Sequence, residues 1–318
     1  MTADTGAYRS DELSFVVPTK DRPGEMRNLL ESLAGQTARC GRVVVVASGE
    51  DIRDVVLGFA DRLPIEYKHS EQGGQIYQRN LGLGMLGDET RLVGSLDDDV
   101  VLEADAVEGM LSFWNGAEVG TAGVSFNIVN APPFRHSLLK ALFGMSSSVQ
   151  GRVLRSGYNV AGAPVDRDLK VDWLCGGATV WRRDILDRFR NREVASRWAI
   201  CEDVIFSYPI GKQHPLYVCA DARARHEHVY DHKATMKYRY YGRTATLWRL
   251  HFVESHEELS RGSFFWMIFG QLCARAAAGI FLLRRNELEY VLGMVEGLGV
   301  ASRTLLRGGD ILVALVEE

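Results

Sequence analysis

The sequence is most informative at first through what it lacks. Five cysteines in 318 residues (Cys40, Cys175, Cys201, Cys219, Cys273) are an odd number without a CxxC pair. That excludes a disulfide framework or a zinc ribbon and leaves reduced, mostly packed thiols. No charge of one sign dominates, since 37 Lys+Arg stand against 41 Asp+Glu for a net charge of -4. A nucleic-acid coat needs a basic surface, so no nucleic-acid partner is expected and any polyanion site must be local. There is no internal repeat and no low-complexity tract. Met1 to Ser10 carries no apolar core of a signal peptide, so the expected compartment is the cytoplasm.

What is present is a globular composition, 46% hydrophobic and 25% charged. At roughly 100–200 residues per domain, this length suits one large domain or a domain with an appendage. Leu13 to Pro18 is a short apolar run fit for a buried strand, and Met26, Leu29, Leu30 and Leu33 follow at helical spacing. The unit recurs: Val43 to Val46 before Val55, Val56 and Phe59, then Ile65 to Tyr67 before Gln75 to Met85. A fourth strand, Leu92 to Leu96, runs into Asp97-Asp98-Asp99. Alternating strands and helices predict an α/β fold with a mostly parallel, doubly wound sheet. Ligands of such sheets bind beyond the carboxyl ends of the strands. From Asn127 to Lys170 periodicity is lost, and a loop that long is functional or mobile. Strand-like sequence returns at Val171 to Trp181, a helix is expected over Arg183 to Phe189, and another after Cys201 that Pro209 and Gly211 stop. Leu216 to Cys219 reads as a strand. Three helices are expected near Thr235 to Glu257, Phe264 to Leu283 and Glu287 to Leu306.

Several constellations can carry chemistry. Three carboxylates at Asp97 to Asp99 repel one another unless a cation is near, and Mg²⁺ favours oxygen ligands shared with phosphates. A solvated acidic loop is the other reading. His226 and His228 lie two apart, on one side of an extended chain, and one imidazole could complete a cation's ligands beside Asp99. They are too few for a zinc site of their own. Glu202-Asp203 opens a helix, where carboxylates are favoured by the free N–H groups and the dipole, or supplies a general base. Between Ala222 and His251, Arg223, Arg225, Lys233, Lys237, Arg239, Arg243 and Arg249 interleave with aromatic residues. That is a diphosphate grip or a solvated helix face.

Taken in order, these pieces resemble glycosyltransferase family 2, the inverting nucleotide-sugar transferases of the GT-A fold. Val17-Pro18-Thr19-Lys20-Asp21-Arg22 resembles the opening strand and nucleotide loop, Gln78-Arg79-Asn80-Leu81-Gly82 the ARNxG segment, and Asp97-Asp98-Asp99 the DxD motif. Gly176-Gly177 before Arg182-Arg183 resembles the acceptor-side loop, Glu202-Asp203 the ED motif, and Asp221 to His226 the strand leading to a metal-site histidine. The resemblance implies a hexosyltransferase of polysaccharide assembly with Mg²⁺ or Mn²⁺ as cofactor. It places the donor nucleotide at Pro18, Thr19, Asp21, Arg22, Arg79, Asp97 and Asp98, and the metal at Asp99 and His226. His228 and Arg243 would reach the diphosphate, Trp173, Gly176 and Gly177 would line the acceptor site, and Asp203, with Glu202, would act as base. Two departures stand out. Ala47-Ser48-Gly49-Glu50 replaces the base-reading Asp of many relatives, shifting that role to Ser48, Glu50 or the Asp21 loop and leaving UDP, dTDP and GDP donors open. Pro209 is expected to cut short the helix after Asp203. The expected domains are 11–232 for the transferase and 233–318 for a helical extension. A nucleotidyltransferase would show a Gly-rich loop where Pro18 to Arg22 stands, and a non-catalytic nucleotide-sugar or glycan-binding module is the third reading.

Phe264 to Leu283 holds only Gln271 and Arg275 as strongly polar members, with Arg284 and Arg285 next. It is just long enough to span a bilayer, yet a mid-span Arg costs about 2.5–3.5 kcal/mol on insertion scales. Lying in the membrane interface, with Phe264, Phe265, Trp266 and Phe269 inserted and the three arginines at headgroup level, fits better. Packing on the catalytic domain or on a second subunit is the remaining reading. The acceptor is accordingly expected to be a glycan or a lipid-linked glycan at the cytoplasmic membrane face.

Overall fold

Apolar runs of five to eight residues cannot remain in water, and here they pair side by side. The computed structural model describes residues 6–191, 193, 200–227 and 238–311. In chain order its elements are β1 (Leu13–Lys20), α1 (Pro23–Ala34), β2 (Arg42–Ser48), α2 (Arg53–Leu57), β3 (Ile65–His69), α3 (Gln75–Gly84), β4 (Leu92–Leu96), β5 (Val100–Leu102), α4 (Ala106–Gly116) and β6 (Gly123–Ile128). There follow α5 (Leu138–Leu142), β7 (Leu169–Val171), β8 (Ala178–Arg182), α6 (Arg183–Arg188), α7 (Glu202–Gly211), β9 (Leu216–His226), α8 (Tyr238–Glu254), α9 (Arg261–Phe281) and α10 (Arg285–Leu306). Each strand and helix expected from periodicity is present, within a few residues. Thr235 to Lys237 and His228 lie outside the described residues.

The strands form one nine-stranded sheet in the order β3-β2-β1-β4-β8-β6-β9-β5, with β7 also on β9. β1, β2, β3, β4, β6 and β9 share a direction, and β5, β7 and β8 run against them. The sheet is therefore mostly parallel, as expected. β1 neighbours both β2 and β4, so the chain winds one way through β2 and β3 and then returns to β1's other side. This reversal is the topological switch point at which doubly wound sheets open a crevice. The β1–β4 register ends at Val16–Ser95, whereas β1 stays paired with β2 to Lys20–Ser48. Pro18 sits in that singly paired stretch, where a missing N–H costs least. Helices cover both faces, and Met26, Leu29, Leu30 and Leu33 of α1 are all fully buried or nearly so, as their spacing predicts.

The chain gathers into two compact units. The first comprises residues 1–134, 162–193 and 206–229 and holds the sheet; the second comprises 135–161, 194–205 and 230–318. Residues 135–161 and 194–205, which the sequence reading assigns to the transferase segment 11–232, thus cluster with the C-terminal helices. Two corrections concern local structure. Pro209 lies inside α7, which continues to Gly211, because Tyr208 and Ile210 are buried and hold the turn that proline would loosen. The loose stretch 127–170 contains α5 and the start of β7, both too short for periodicity to reveal.

In the second unit α8 and α10 approach backbone to backbone. A Cβ on Gly293 would overlap Arg239 O, one on Gly242 would lie 2.3 Å from Tyr290 O, and one on Gly297 2.8 Å from Arg243 O. Small residues at such crossings let helices pack at contact distance. Arg275, the charge that interrupts α9, donates to Glu287 at 2.5 Å and lies 3.8 Å over the Tyr290 ring. It ties α9 to α10 and is not spare for a headgroup.

Burial pushes the Cys40 thiol up to about 12 and the Cys219 thiol up to about 11, while Cys273 is exposed. Thiolate is the reactive form. Brief maleimide treatment at pH 7.5 should label Cys273 first, with Cys40 and Cys219 modified only after denaturation, as read by peptide mass mapping. Equal labelling of Cys40 in the folded protein would contradict the packing.

Candidate active site

Every strand end at the switch point delivers a polar group. Asp97 follows β4 directly and Asp98 and Asp99 occupy the turn to β5, where Asp98 and Asp99 are only 6% and 8% exposed. Three carboxylates this close need donors and cations from elsewhere, and four elements provide them. From the end of β1, Thr19 Oγ1 donates to Asp98 Oδ2 at 2.6 Å. From the N-terminal side of α1, Arg22 Nη1 donates both to Asp98 Oδ1 at 3.0 Å and to Asp99 Oδ2 at 3.1 Å. From α3, Arg79 Nη2 and Gln75 Nε2 converge on Asp97 Oδ1 at 2.6 and 2.7 Å. From the end of β9, His226 Nε2 lies 2.8 Å from Asp99 Oδ1.

Burial pushes the Asp98 carboxyl up, against the opposing pull of Thr19 and Arg22. Burial alone would depress His226, but the bond to Asp99 and the charges of Asp99 and Asp97 outweigh it and raise its pKa. One ligand atom each from Asp97, Asp99 and His226 lie within 4.8 Å of one another. Two carboxylates and an imidazole suit a hard or borderline divalent ion. His226 is aimed by its own backbone, whose N–H donates to Asn130 Oδ1 at 3.0 Å while Asn130 Nδ2 donates back to His226 O at 3.0 Å.

Gly177 belongs to the same cluster. Its carbonyl accepts from Asp97 N at 2.8 Å, and a Cβ there would stand 1.9 Å from Asp97 Oδ2. A side chain at 177 would fill the space that carboxylate oxygen faces. Gly176 and Trp173 are half-buried in the same segment ahead of β8. A second cradle forms where β1 and β2 end. Asp21, at φ 56°, accepts from Glu50 N at 2.7 Å, and Gly49, at φ 77°, has no room for a Cβ beside that carboxylate. Ser48 is buried beneath Gly73 with its Oγ unpartnered.

Buried Gln78 locks these two strand ends together, donating to Thr19 O at 2.8 Å and Val46 O at 2.7 Å. The sequence assigns a site role to Arg79 but none to Gln75, Gln78 or Asn130. Gln75 was recoverable, because it precedes Arg79 by four residues on one helical face. Asn130 has no such signal, its loop bearing no periodicity.

Glu202, Asp203 and Arg243 lie in the second unit. Glu202 and Asp203 form the first turn of α7, directly after Cys201 at φ 67°, a left-handed conformation that costs a non-glycine residue on the order of 1–2 kcal/mol. Most of the basic segment is engaged internally. Arg223 pairs with Glu103 at 3.0 Å, Arg225 with Glu227 at 2.9 Å, Arg239 with Glu296, and Arg249 bonds Gly157 O and Asn159 Oδ1, both at 2.7 Å. These four are engaged within the chain.

The family model described as glycosyl transferase family 2 matches residues 14–189, more than half of the chain. No curated protein matches the sequence. Among solved structures, residues 1–349 of TarS from S. aureus align with a TM-score of 0.54 at 15% identity, covering 94% of this chain and 88% of that one. The mannosyltransferase PcManGT from Pyrobaculum calidifontis, in complex with GDP-Man and Mn²⁺, aligns with a TM-score of 0.57 at 13% identity, covering 92% and 88%. The TarS 1–349 complex with UDP-GlcNAc aligns at 0.50 and 15% identity, covering 93% and 92%. At such identities the likeness is one of fold, and it is the GT-A fold. With the sheet, the switch-point carboxylates and the matched segment in agreement, the chain belongs to glycosyl transferase family 2 and is a glycosyltransferase.

Proposed function

We propose that the enzyme moves a sugar from a nucleoside diphosphate sugar to a hydroxyl of a glycan or lipid-linked glycan at the cytoplasmic membrane face, with inversion at the anomeric carbon. The observation that carries this reading is the convergence of Asp97, Asp99 and His226 at the switch point. Their donor set fits Mg²⁺ or Mn²⁺, and such an ion would supply charge neutralisation for the departing diphosphate. Support for a metal comes from PcManGT, whose complex holds GDP-Man and Mn²⁺, and for a nucleotide-sugar donor from TarS with UDP-GlcNAc.

The chain's own residues perform the remaining tasks. Thr19, Arg22, Gln75 and Arg79 orient the carboxylates and bring hydrogen bonds and positive charge to them, so that no reorganisation is needed when the donor arrives. The Asp21–Glu50 cradle and Ser48 are assigned to the nucleoside. Gly177 keeps the space beside Asp97 open for the donor's sugar side. Asp203 is assigned the proton of the attacking hydroxyl, because an alcohol of high pKa needs a base and this carboxylate stands in the first turn of α7. Glu202, beside it, is assigned to orienting the acceptor.

Asp99→Ala and His226→Ala should each weaken Mn²⁺-dependent binding of UDP or GDP at least tenfold by calorimetry. Unchanged binding in both would remove the metal assignment. Asp203→Asn should keep that binding while transfer falls about 10²–10⁴-fold, the usual worth of a general base. Full turnover by a folded Asp203→Asn protein would move the base elsewhere. Product analysis should find nucleoside diphosphate and an inverted linkage; released pyrophosphate would indicate a nucleotidyltransferase instead. Arg22→Ala removes a cation that is 42% exposed, worth on the order of 1 kcal/mol after screening. Its melting temperature should fall in metal-free buffer and recover with millimolar Mn²⁺; a loss that Mn²⁺ leaves untouched would mean that Arg22 does not stand in for cationic charge.

A further inference from the structure

The second unit encloses a cavity of about 720 Å³, which is within the range of about 300–1,000 Å³ typical of small-molecule sites. Its wall is built by side chains such as Leu139, Phe143, Met145, Ile200, Met267 and Ile268. Three of the polar residues in that wall are committed elsewhere: Thr246 Oγ1 donates to Gly242 O, Arg249 to Gly157 O and Asn159, and Arg275 to Glu287. Tyr158, Tyr241, Gln271 and Tyr290 add polar atoms to a wall that is otherwise apolar. A wall that is mainly apolar suits a largely hydrocarbon occupant.

Its rim continues into an exposed apolar band. Trp266 Nε1 donates to Leu142 O, and Phe143 stacks on Trp266, which stacks in turn on Phe269. Gly270 permits this, since a Cβ there would stand 2.4 Å from the Phe143 ring. α5 is thus fastened to α9, and Leu138, Leu139 and Leu142 stand in water beside Trp266 and Phe269. Along α9 the exposed band ends in Ile280 to Leu283. α9 is long and apolar enough to cross a membrane by length and composition, yet only 28% of its most apolar window is buried. Exposed Lys140 lines the cavity, and exposed Arg284 and Arg285 close the band; none of the three has an ion-pair partner among the described residues. Apolar volume opening on an apolar surface with unpaired cations at its edge matches one chemistry, a hydrocarbon chain ending in phosphate.

We infer that this cavity holds the hydrocarbon chain of a long-chain lipid phosphate that carries the acceptor, drawn from the membrane face on which α5 and α9 rest. The inference rests on the reading of the enzyme as a transferase with a lipid-linked acceptor and names the lipid's binding place.

The test uses the full chain and farnesyl monophosphate below its micellar concentration, titrated by tryptophan fluorescence. Saturable binding, one per chain, is expected. Ala245→Phe or Ala274→Phe, which fill the cavity, should weaken it at least tenfold, and Lys140→Glu severalfold, while Mn²⁺-dependent UDP or GDP binding stays unchanged. Should the phenylalanine variants fail to fold, Lys140→Glu, at an exposed position, carries the test. No saturable binding, or unaltered binding in the filled and charge-reversed variants, overturns the inference. So does equal competition by a short-chain phosphatidylglycerol, which would make the occupant bulk lipid. Loss of metal-dependent nucleotide binding in the wild type would instead sink the transferase reading, and it is measured separately.

Discussion

Three successive carboxylates at the end of a β-strand are a standing electrostatic problem, and much of the first unit is arranged around it. Like charges a few ångströms apart, largely out of water, protonate or separate unless positive charge and hydrogen bonds meet them. Asp98 is met by Thr19 and Arg22, Asp97 by Gln75 and Arg79, and Asp99 by Arg22 and His226. These partners come from β1, α1, α3 and β9, so the sheet order and the site's charge balance are one constraint. The reversal of winding between β2 and β4 is what brings them to one place.

The second unit solves a different problem with different means. At the α8–α10 crossing, glycines at 242, 293 and 297 let the backbones of its helices meet. Arg275, the charge in the middle of α9, is spent on Glu287 and Tyr290 of α10. The apolar residues this leaves over face outward on α5 and α9, an arrangement that water disfavours and a lipid surface accepts.

The strands and helices of the sheet were legible because each apolar run is of strand length and each helix carries its buried residues at helical spacing. Leu13 to Lys20 followed by Met26, Leu29, Leu30 and Leu33 is the clearest instance. The carboxylates and His226 were legible through motifs whose spacing puts them at strand ends. What escaped was whatever depends on partners remote in sequence. Asn130 is fixed by a strand 96 residues away, and α5, five residues long, is too short to show a period. Pro209 misled for the reverse reason: its local preference is to end a helix, and burial on either side overrides it.

The partition of the chain bears on how the protein is made. Its path passes between the two units five times, at 134/135, 161/162, 193/194, 205/206 and 229/230. Neither unit is a continuous stretch of message, so neither can be completed while the other waits. Leu142 emerges 124 residues before Trp266, the side chain that fastens it. At about 5–20 residues per second of synthesis, α5 and its leucines spend roughly six to twenty-five seconds without their partner helix. A nascent chain of this design offers an apolar segment to chaperones, or to the membrane itself, well before the last helix leaves the ribosome.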